Sequence, residues 1–238
     1  MSGAWLVLPT YNEAENVERF VEAVLPQLAK ASPEHRVLVV DDNSPDGTGE
    51  IADRLAAKRP EVRVLHRPGK QGLGRAYLAG FGEALAGGAE LVMEMDSDFS
   101  HDPRDVPRLI EAADGADLVL GSRYVPGGGL RDWGLVRRAV SRGGCLYAQA
   151  ILGVPVRDLT GGFKCFRRQV LESLDLDEVH ADGYGFQIEM TYRALKAGFH
   201  VREVPIVFRD REVGTSKMNW RIAVEAVWKV PALKAKVR

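Results

Sequence analysis

A largely apolar run, Leu91-Val92-Met93-Glu94-Met95, stops at Asp96-Ser97-Asp98. Read as a strand, it delivers two carboxylates, one residue apart, to the carboxyl edge of a sheet, where open α/β sheets bind their ligands. Alternate residues of an extended segment share a face, so Asp96 and Asp98 can address one cation together. Mg²⁺ is commonly held by one or two carboxylates and completed by substrate phosphates. The chemistry implied is a metal–diphosphate site; two solvated turn aspartates are the plainer alternative.

Two further apolar runs end in polar turns. Trp5–Leu8 is followed by Pro9-Thr10-Tyr11-Asn12-Glu13, and Val37–Val40 by Asp41-Asp42-Asn43-Ser44-Pro45-Asp46-Gly47-Thr48. Three such edges facing one ligand would equip a nucleotide site: an aromatic face for the base, a carboxylate for base or ribose donors, and a cation for the phosphates. Taken alone, Tyr11 reads equally well as a packing residue, and Asp46-Gly47-Thr48 chiefly as a turn with a helix N-cap. The glycines of Gly69-Lys70-Gln71-Gly72-Leu73-Gly74 do not make a dinucleotide fingerprint, because Tyr77 stands where the third glycine belongs. A flexible loop carrying Lys70 toward phosphate fits better. His101, the nearest potential base, reads as a structural or capping residue.

The elements that must hold these turns alternate. Strands at 5–8, 37–40, 62–65, 91–95 and within 117–121 are separated by helices over about 13–30, from 48, from 72 and around 106–113. Strand–helix alternation with near-continuous apolar strands predicts an α/β protein whose mainly parallel central sheet carries helices on both faces. The second half is less regular. It offers a helix over 135–152, a strand at 163–166, a helix over about 187–196 and a strand over 200–208. A last helical segment begins at Trp220 and is interrupted at Pro231. No repeat, low-complexity tract or linker divides the chain.

Composition sets bounds. The 238 residues are 45% hydrophobic and 27% charged, ordinary for a globular protein. A net charge of −1 gives no sign of nucleic-acid binding, but it hides an asymmetry: residues 217–238 carry +5 and the remainder −6. Cys145 and Cys165 are too few for a disulfide framework and lack zinc-site spacing. No signal peptide is expected, since no charged region precedes the short N-terminal apolar run. The charge-free stretch from Gly143 to Val156 has fourteen residues, short of the ~18 that would suggest a membrane span.

Pro9–Glu13, Asp41–Thr48, Gly69–Gly74 and Met95-Asp96-Ser97-Asp98-Phe99-Ser100-His101 together resemble the family-two glycosyltransferases of GT-A fold. Within that family the chain is similar to the polyprenyl- and dolichyl-phosphate mannose synthases. The resemblance runs on through Asp158-Leu159-Thr160-Gly161-Gly162-Phe163-Lys164 to Arg211 and Lys217. It implies one catalytic domain over 1–238. Residues 1–122 would form a nucleotide-sugar half, 123–218 an acceptor half and 219–238 a basic amphipathic helix. Pro9, Tyr11, Glu13, Val40 and Asp42 would line the nucleotide pocket, and Asp96 and Asp98, with Ser97 between them, would hold Mg²⁺ or Mn²⁺ on the diphosphate. Arg123, Arg137 and Ser141 would receive a lipid phosphate, Arg123 also serving the donor, and Arg211 and Lys217 would close over the nucleotide phosphates. Ser97 replaces a common Ala. Ser100 replaces a Gln that helps the metal in some members, which leaves it only a candidate third ligand. The Gln-x-x-Arg-Trp motif of processive members is absent, so a single sugar is expected to be transferred.

The reaction implied is inverting transfer of mannose from GDP-mannose to a polyprenyl phosphate. A phosphate monoester has a second pKa of roughly 6, so the acceptor is already anionic and needs no strong general base. Arginines that fork two donors onto phosphate suit its capture. UDP-glucose or another nucleotide sugar as donor remains an alternative, as does a nucleotide-sugar-binding regulator without turnover. A lipid substrate implies a membrane surface. The helix over 135–152 and the C-terminal helix, which mix apolar residues, Trp and cations, are expected on the cytoplasmic leaflet. The Trp220, Val224, Trp228 stripe serves that reading and core packing equally. Many relatives append membrane-spanning helices after the catalytic domain, so either a separate anchoring protein is a further expected partner or the chain is truncated relative to those relatives.

Overall fold

Apolar segments bounded by polar turns bury both of their faces only when helices cover a sheet from both sides. The computed structural model, which describes residues 3–181, 183–210 and 220–237 but not the side chains of 220–227, has this arrangement. Strands β1 (Ala4–Thr10), β2 (His35–Asp41), β3 (Val62–His66) and β4 (Leu91–Glu94) alternate with helices α1 (Val17–Ala31), α2 (Thr48–Lys58) and α3 (Leu73–Ala86). Helix α4 (Val106–Ala112) leads to β5 (Leu118–Ser122), and a short β6 (Gly129–Leu130) precedes α5 (Leu135–Leu152). Then follow β7 (Lys164–Arg167), α6 (Arg168–Ser173), α7 (Gly183–Lys196), β8 (Val201–Pro205), β9 (Val207–Phe208) and α8 (Trp220–Lys236).

Seven strands form one sheet in the order β3-β2-β1-β4-β7-β5-β8. Its pairings are parallel except for β7, which runs antiparallel to both β4 and β5. The mainly parallel sheet is therefore as expected, with one reversed strand at its centre. Side-chain alternation feeds two cores. Leu6, Leu8, Val37 and Val39 meet Phe20 and Val24 of α1 on one face. Val7, Leu38 and Val40 meet Tyr77 and Phe81 of α3 and Phe186 of α7 on the other.

Several boundaries depart from expectation. α1 starts at Val17, because the Glu13 carbonyl accepts from both the Asn16 and Val17 amides and turns the chain first. The expected strand over 200–208 is split at Ile206, whose amide bonds Ser122 O in the main sheet while its carbonyl accepts from Gly129. The chain thus leaves the sheet to form a two-stranded parallel ribbon of β6 and β9. α8 passes through Pro231 instead of stopping. Its end is tied down by Lys234 Nζ on Ile151 O (2.6 Å) and Lys236 Nζ on Glu178 O (3.0 Å).

α3 lies close on the sheet because Gly80 has no side chain. A Cβ there would collide with Val7 Cγ1 and stand 3.1 Å from Val40 Cγ2, whereas one on Gly82 would meet nothing within 4 Å. Gly80→Ala should therefore cost about 1–3 kcal/mol from overpacking. Gly82→Ala should be neutral or gain up to about 1 kcal/mol in helix propensity. Chemical-denaturation midpoints of the two variants check this, and equal midpoints would show that α3 adjusts freely.

Candidate active site at the carboxyl edge

The parallel strands end on one edge of the sheet, and the reversed β7 begins there. A cleft of about 480 Å³ opens along this edge. It is lined by Pro9 near the end of β1, Tyr11 and Glu13 after it, Asp42 after β2, Asp96, Ser97 and Asp98 after β4, and Arg123 after β5. Thr160, Gly161 and Gly162 before β7 join them, with Gln187 of α7, Arg137 of α5, Trp133 and Phe208. Three expected residues do not line it. Val40 is fully buried in the α3 core, Ser100 is 1% exposed, and Ser141 is buried with its hydroxyl accepting from Tyr124 Oη at 2.7 Å. Arg211 and Lys217 lie outside the described residues.

At the nucleotide end, Asp42 is gripped by Arg67 Nη1, and Arg67 Nη2 donates to Gln71 Oε1 at 3.1 Å. Burial pushes the Asp42 carboxyl up despite the nearby Arg67 charge. Arg67, which carried no signal in the sequence, thus fixes the carboxylate that faces the cleft. Asp46 does more than shape a turn: it accepts from Thr48 Oγ1 (2.6 Å) and the Ala14 amide (3.1 Å), while Thr48 Oγ1 accepts from the Glu13 amide (2.9 Å). The loops after β1 and β2 are so joined into one wall. Lys70 Nζ sits 4.2 Å from the Tyr11 ring centroid, a cation–π contact at the cleft.

The two acids differ in exposure. The Asp96 side chain is 33% exposed, whereas Asp98 is 4% exposed and accepts from the Ser100 amide at 3.0 Å. The Ser100 hydroxyl has no hydrogen-bond partner. Among the described residues, no three His, Cys, Asp or Glu side chains converge on a possible metal position. A cation that takes two carboxylates and completes its shell from substrate oxygens and water fits Asp96 and Asp98; one needing a full protein cage does not. His101 is wedged between Phe163 and Phe208, with ring centroids at 5.2 and 4.9 Å, and its Nε2 lies 4.0 Å from Asp96 Oδ2. Burial lowers its pKa to about 4, so the imidazole is neutral at neutral pH. Beneath the acids, Lys164 and Glu94 form a fully buried ion pair at 3.2 Å. Burial pushes the Lys164 pKa down and that of Glu94 up.

After β5, Arg123 is held by Asp158, a partner that the sequence alone does not reveal. The Arg123 amide (2.9 Å) and Nε (2.7 Å) donate to Oδ2, Nη2 donates to Oδ1 (2.6 Å), and Nη2 also reaches Thr160 Oγ1 (2.8 Å). An anion in the cleft would therefore be met by Nη1. Burial alone would raise the Asp158 carboxyl, but the Arg123 charge and hydrogen bonds outweigh it and hold the pKa below the usual range. Arg137 stacks on Trp133, its Cζ 3.8 Å from the ring centroid, and donates from Nη1 to both Asp210 oxygens at 3.0 and 3.1 Å.

Removing one member of a buried pair strands the other charge, at a cost of about 3–5 kcal/mol. Asp158→Ala should be destabilised by that amount at pH 7, with sugar transfer lost. Because the native pKa is depressed, the pair's contribution is full above the unfolded-state value of about 3.9. It disappears as pH falls through the native value. The gap in unfolding free energy between the wild type and Asp158→Ala should therefore hold steady from pH 7 down to about 4 and narrow as pH falls further; a gap that widens below that point would disprove the linkage.

Comparison with known proteins places this geometry. Residues 5–175 match the model of "Glycosyl transferase family 2". A polyprenol monophosphomannose synthase from Mycolicibacterium smegmatis is 49% identical over 227 residues, covering 94% of this chain and 84% of that protein. An undecaprenyl-phosphate mannosyltransferase from Micrococcus luteus is 48% identical over 221 residues, covering 93% and 89%. A crystal structure of glucosyl-3-phosphoglycerate synthase from Mycobacterium tuberculosis, in complex with Mn²⁺, UDP and glucosyl-3-phosphoglycerate, shares the fold. Its TM-score is 0.72 at 22% identity, over 98% of this chain and 80% of that one. The chain belongs to glycosyl transferase family 2.

Proposed function

We propose that the protein transfers one mannosyl residue, with inversion, from GDP-mannose to a polyprenyl phosphate. The observation that carries this is one cleft lined by both the paired acids and two arginines, in a chain nearly half identical to relatives named for this acceptor class. A divalent cation, Mg²⁺ or Mn²⁺, would be held by Asp96 and Asp98 and would neutralise the departing diphosphate. Tyr11, Glu13 and Asp42 take the nucleoside. The acceptor phosphate displaces the half-exposed Asp210 from Arg137 and meets Nη1 of Arg123. Arg211 and Lys217 close over the donor phosphates. Because the acceptor arrives anionic, no side chain has to remove a proton, and the neutral, buried His101 is left to pack beside Asp96. Residues 1–122 then serve the donor, and 123–218 the acceptor, with Arg211 and Lys217 reaching back to the donor.

The test is incubation with Mg²⁺ or Mn²⁺, a short polyprenyl phosphate and labelled GDP-mannose or UDP-glucose. Product from GDP-mannose is expected, and Asp98→Ala should lower it by roughly a hundredfold or more, beyond what even outer-shell metal partners contribute. Product from UDP-glucose alone would replace the donor. Binding without product would favour the regulator. Undiminished transfer by Asp98→Ala under strict chelation would end the metal reading.

The acceptor's lipid also places the protein at a membrane. No described helix is long and apolar enough to cross one. Yet the first turn of α5, which carries Arg137, exposes Leu135 (82%) and Val136 (79%), and Trp228 on the adjoining α8 is 76% exposed. That exposure speaks against core packing for Trp228; the Trp220 and Val224 side chains lie outside the described residues. The apolar turn and the cations of α8 suit peripheral contact with an anionic leaflet, the cytoplasmic one, beside a separate anchoring protein. Co-sedimentation should recover the chain with anionic vesicles and less with neutral ones, and Leu135→Ser/Val136→Ser should reduce recovery. Equal recovery with both vesicles, or none, would sink electrostatic attachment.

A further inference from the structure

Gln187 lines the cleft without a hydrogen bond to the paired acids or the arginine clamp, and its side chain is tightly constrained. It is 2% exposed and lines the cleft. Lys164 Nζ donates to Gln187 Oε1 and, at 3.0 Å, to the Gln187 carbonyl. An ammonium group can only donate, so Oε1 must face Lys164 and the amide nitrogen must face away. That nitrogen is buried and makes no hydrogen bond. The Glu94 carboxylate is near enough to be stabilised by the amide, but an amide has two hydrogens and one suffices for that approach.

The amide nitrogen faces Gly162. A Cβ built on Gly162 would stand 3.4 Å from Gln187 Nε2 and 3.9 Å from each Asp96 oxygen, and one on Gly161 would stand 3.6 Å from Asp158 Oδ1. The two glycines therefore floor the cleft from the carboxylate that clamps Arg123 to the acid that faces the donor diphosphate. In a direct displacement the transferred sugar lies between leaving group and nucleophile, so it lies over this floor. We infer that Gln187 donates a hydrogen bond from its amide nitrogen to a hydroxyl of the transferred hexose, and that Gly162 is bare to seat that ring. This rests on the glycosyl-transfer reading above and adds the residue that recognises the sugar itself. A buried amide with one hydrogen directed to Glu94 and the other satisfied by a sugar hydroxyl discriminates against sugars that lack it.

The experiment compares affinities of the full chain for GDP and GDP-mannose with Mn²⁺ by titration calorimetry. The variants are Gln187→Met, Gln187→Glu and Gly162→Ala. Gln187→Glu keeps an acceptor for Lys164 while removing the donor but sets a second carboxylate beside Glu94, so it is Gly162→Ala, whose methyl meets only ordinary contact distances, that guards against loss of fold. All three should bind GDP within about twofold of wild type. GDP-mannose should weaken roughly three- to tenfold in Gln187→Met and Gln187→Glu, the net worth of one hydrogen bond, and also weaken in Gly162→Ala. Equal weakening of GDP and GDP-mannose, or no weakening of either, would overturn the proposal. If the wild type uses UDP-glucose instead, the donor reading falls alone, and the same comparison with UDP and UDP-glucose decides the role of Gln187.

Discussion

One strand running against its neighbours governs the site. β7 lies between β4 and β5 and is antiparallel to both, so the loop that precedes it arrives at the edge where the other strands end. That reversal brings Asp158 to Arg123 and Gly162 beside Asp96. It also registers Lys164 opposite Glu94, one turn of chain beneath the paired acids. A parallel strand in this slot would send the same residues to the far edge. The cleft would then keep Arg123 after β5 but lose the carboxylate that clamps it and the bare glycine beside Asp96.

The same edge is crowded with carboxylates, and charge balance explains how the fold tolerates them. Asp42 is matched by Arg67, Glu94 by Lys164, Asp158 by Arg123 and Asp210 by Arg137. These pairs are not equivalent. Arg123 and Asp158 are 4% and 0% exposed, and a buried pair is costly to open because either partner left alone is an uncompensated charge. Arg137 and Asp210 are 24% and 43% exposed, where an ion pair holds little net energy and exchanges readily. In the proposed reaction an entering phosphate would exchange with Asp210 while Arg123 stays fixed. A rigid cation next to an exchangeable one both positions and admits an anion.

Much of this was legible in the chain because the first half follows simple periodicities. Strands ending in Pro9, Asp41 and Asp96 could only place those turns on a common edge once the sheet was parallel, and the cleft collects nearly all of the residues so predicted. What could not be read lies in non-local pairing. Nothing in Lys164–Arg167 states its direction, since a short apolar strand reads alike both ways. Arg67 and Asp158 acquire roles only through partners 25 and 35 residues distant. Val40 shows the opposite error of placement. Its position adjoins the nucleotide turn, but strand alternation sends its side chain under α3, beside the vacancy at Gly80. The β6–β9 ribbon escaped notice because two-residue strands carry no period at all.

A transferase whose nucleophile arrives ionised needs placement more than proton chemistry, and placement needs stiff loops. The three loops at this edge are stiff in an observable way. Asn12, Asn43 and Phe99 each adopt a left-handed backbone, with φ near 59°, 57° and 59°. Asparagine accepts this conformation with little penalty, but a bulky aromatic at Phe99 does not. Phe99 is kept there by edge-on packing against Phe20 at 5.1 Å and by Arg19 over its ring at 5.3 Å. Backbone held against its preference by surrounding contacts has few alternatives to visit. Since Phe99 directly follows Asp98, the strain fixes the second acid relative to the core, and the reversed β7 fixes the floor facing it. The fold thereby sets the second acid and the glycine floor relative to each other.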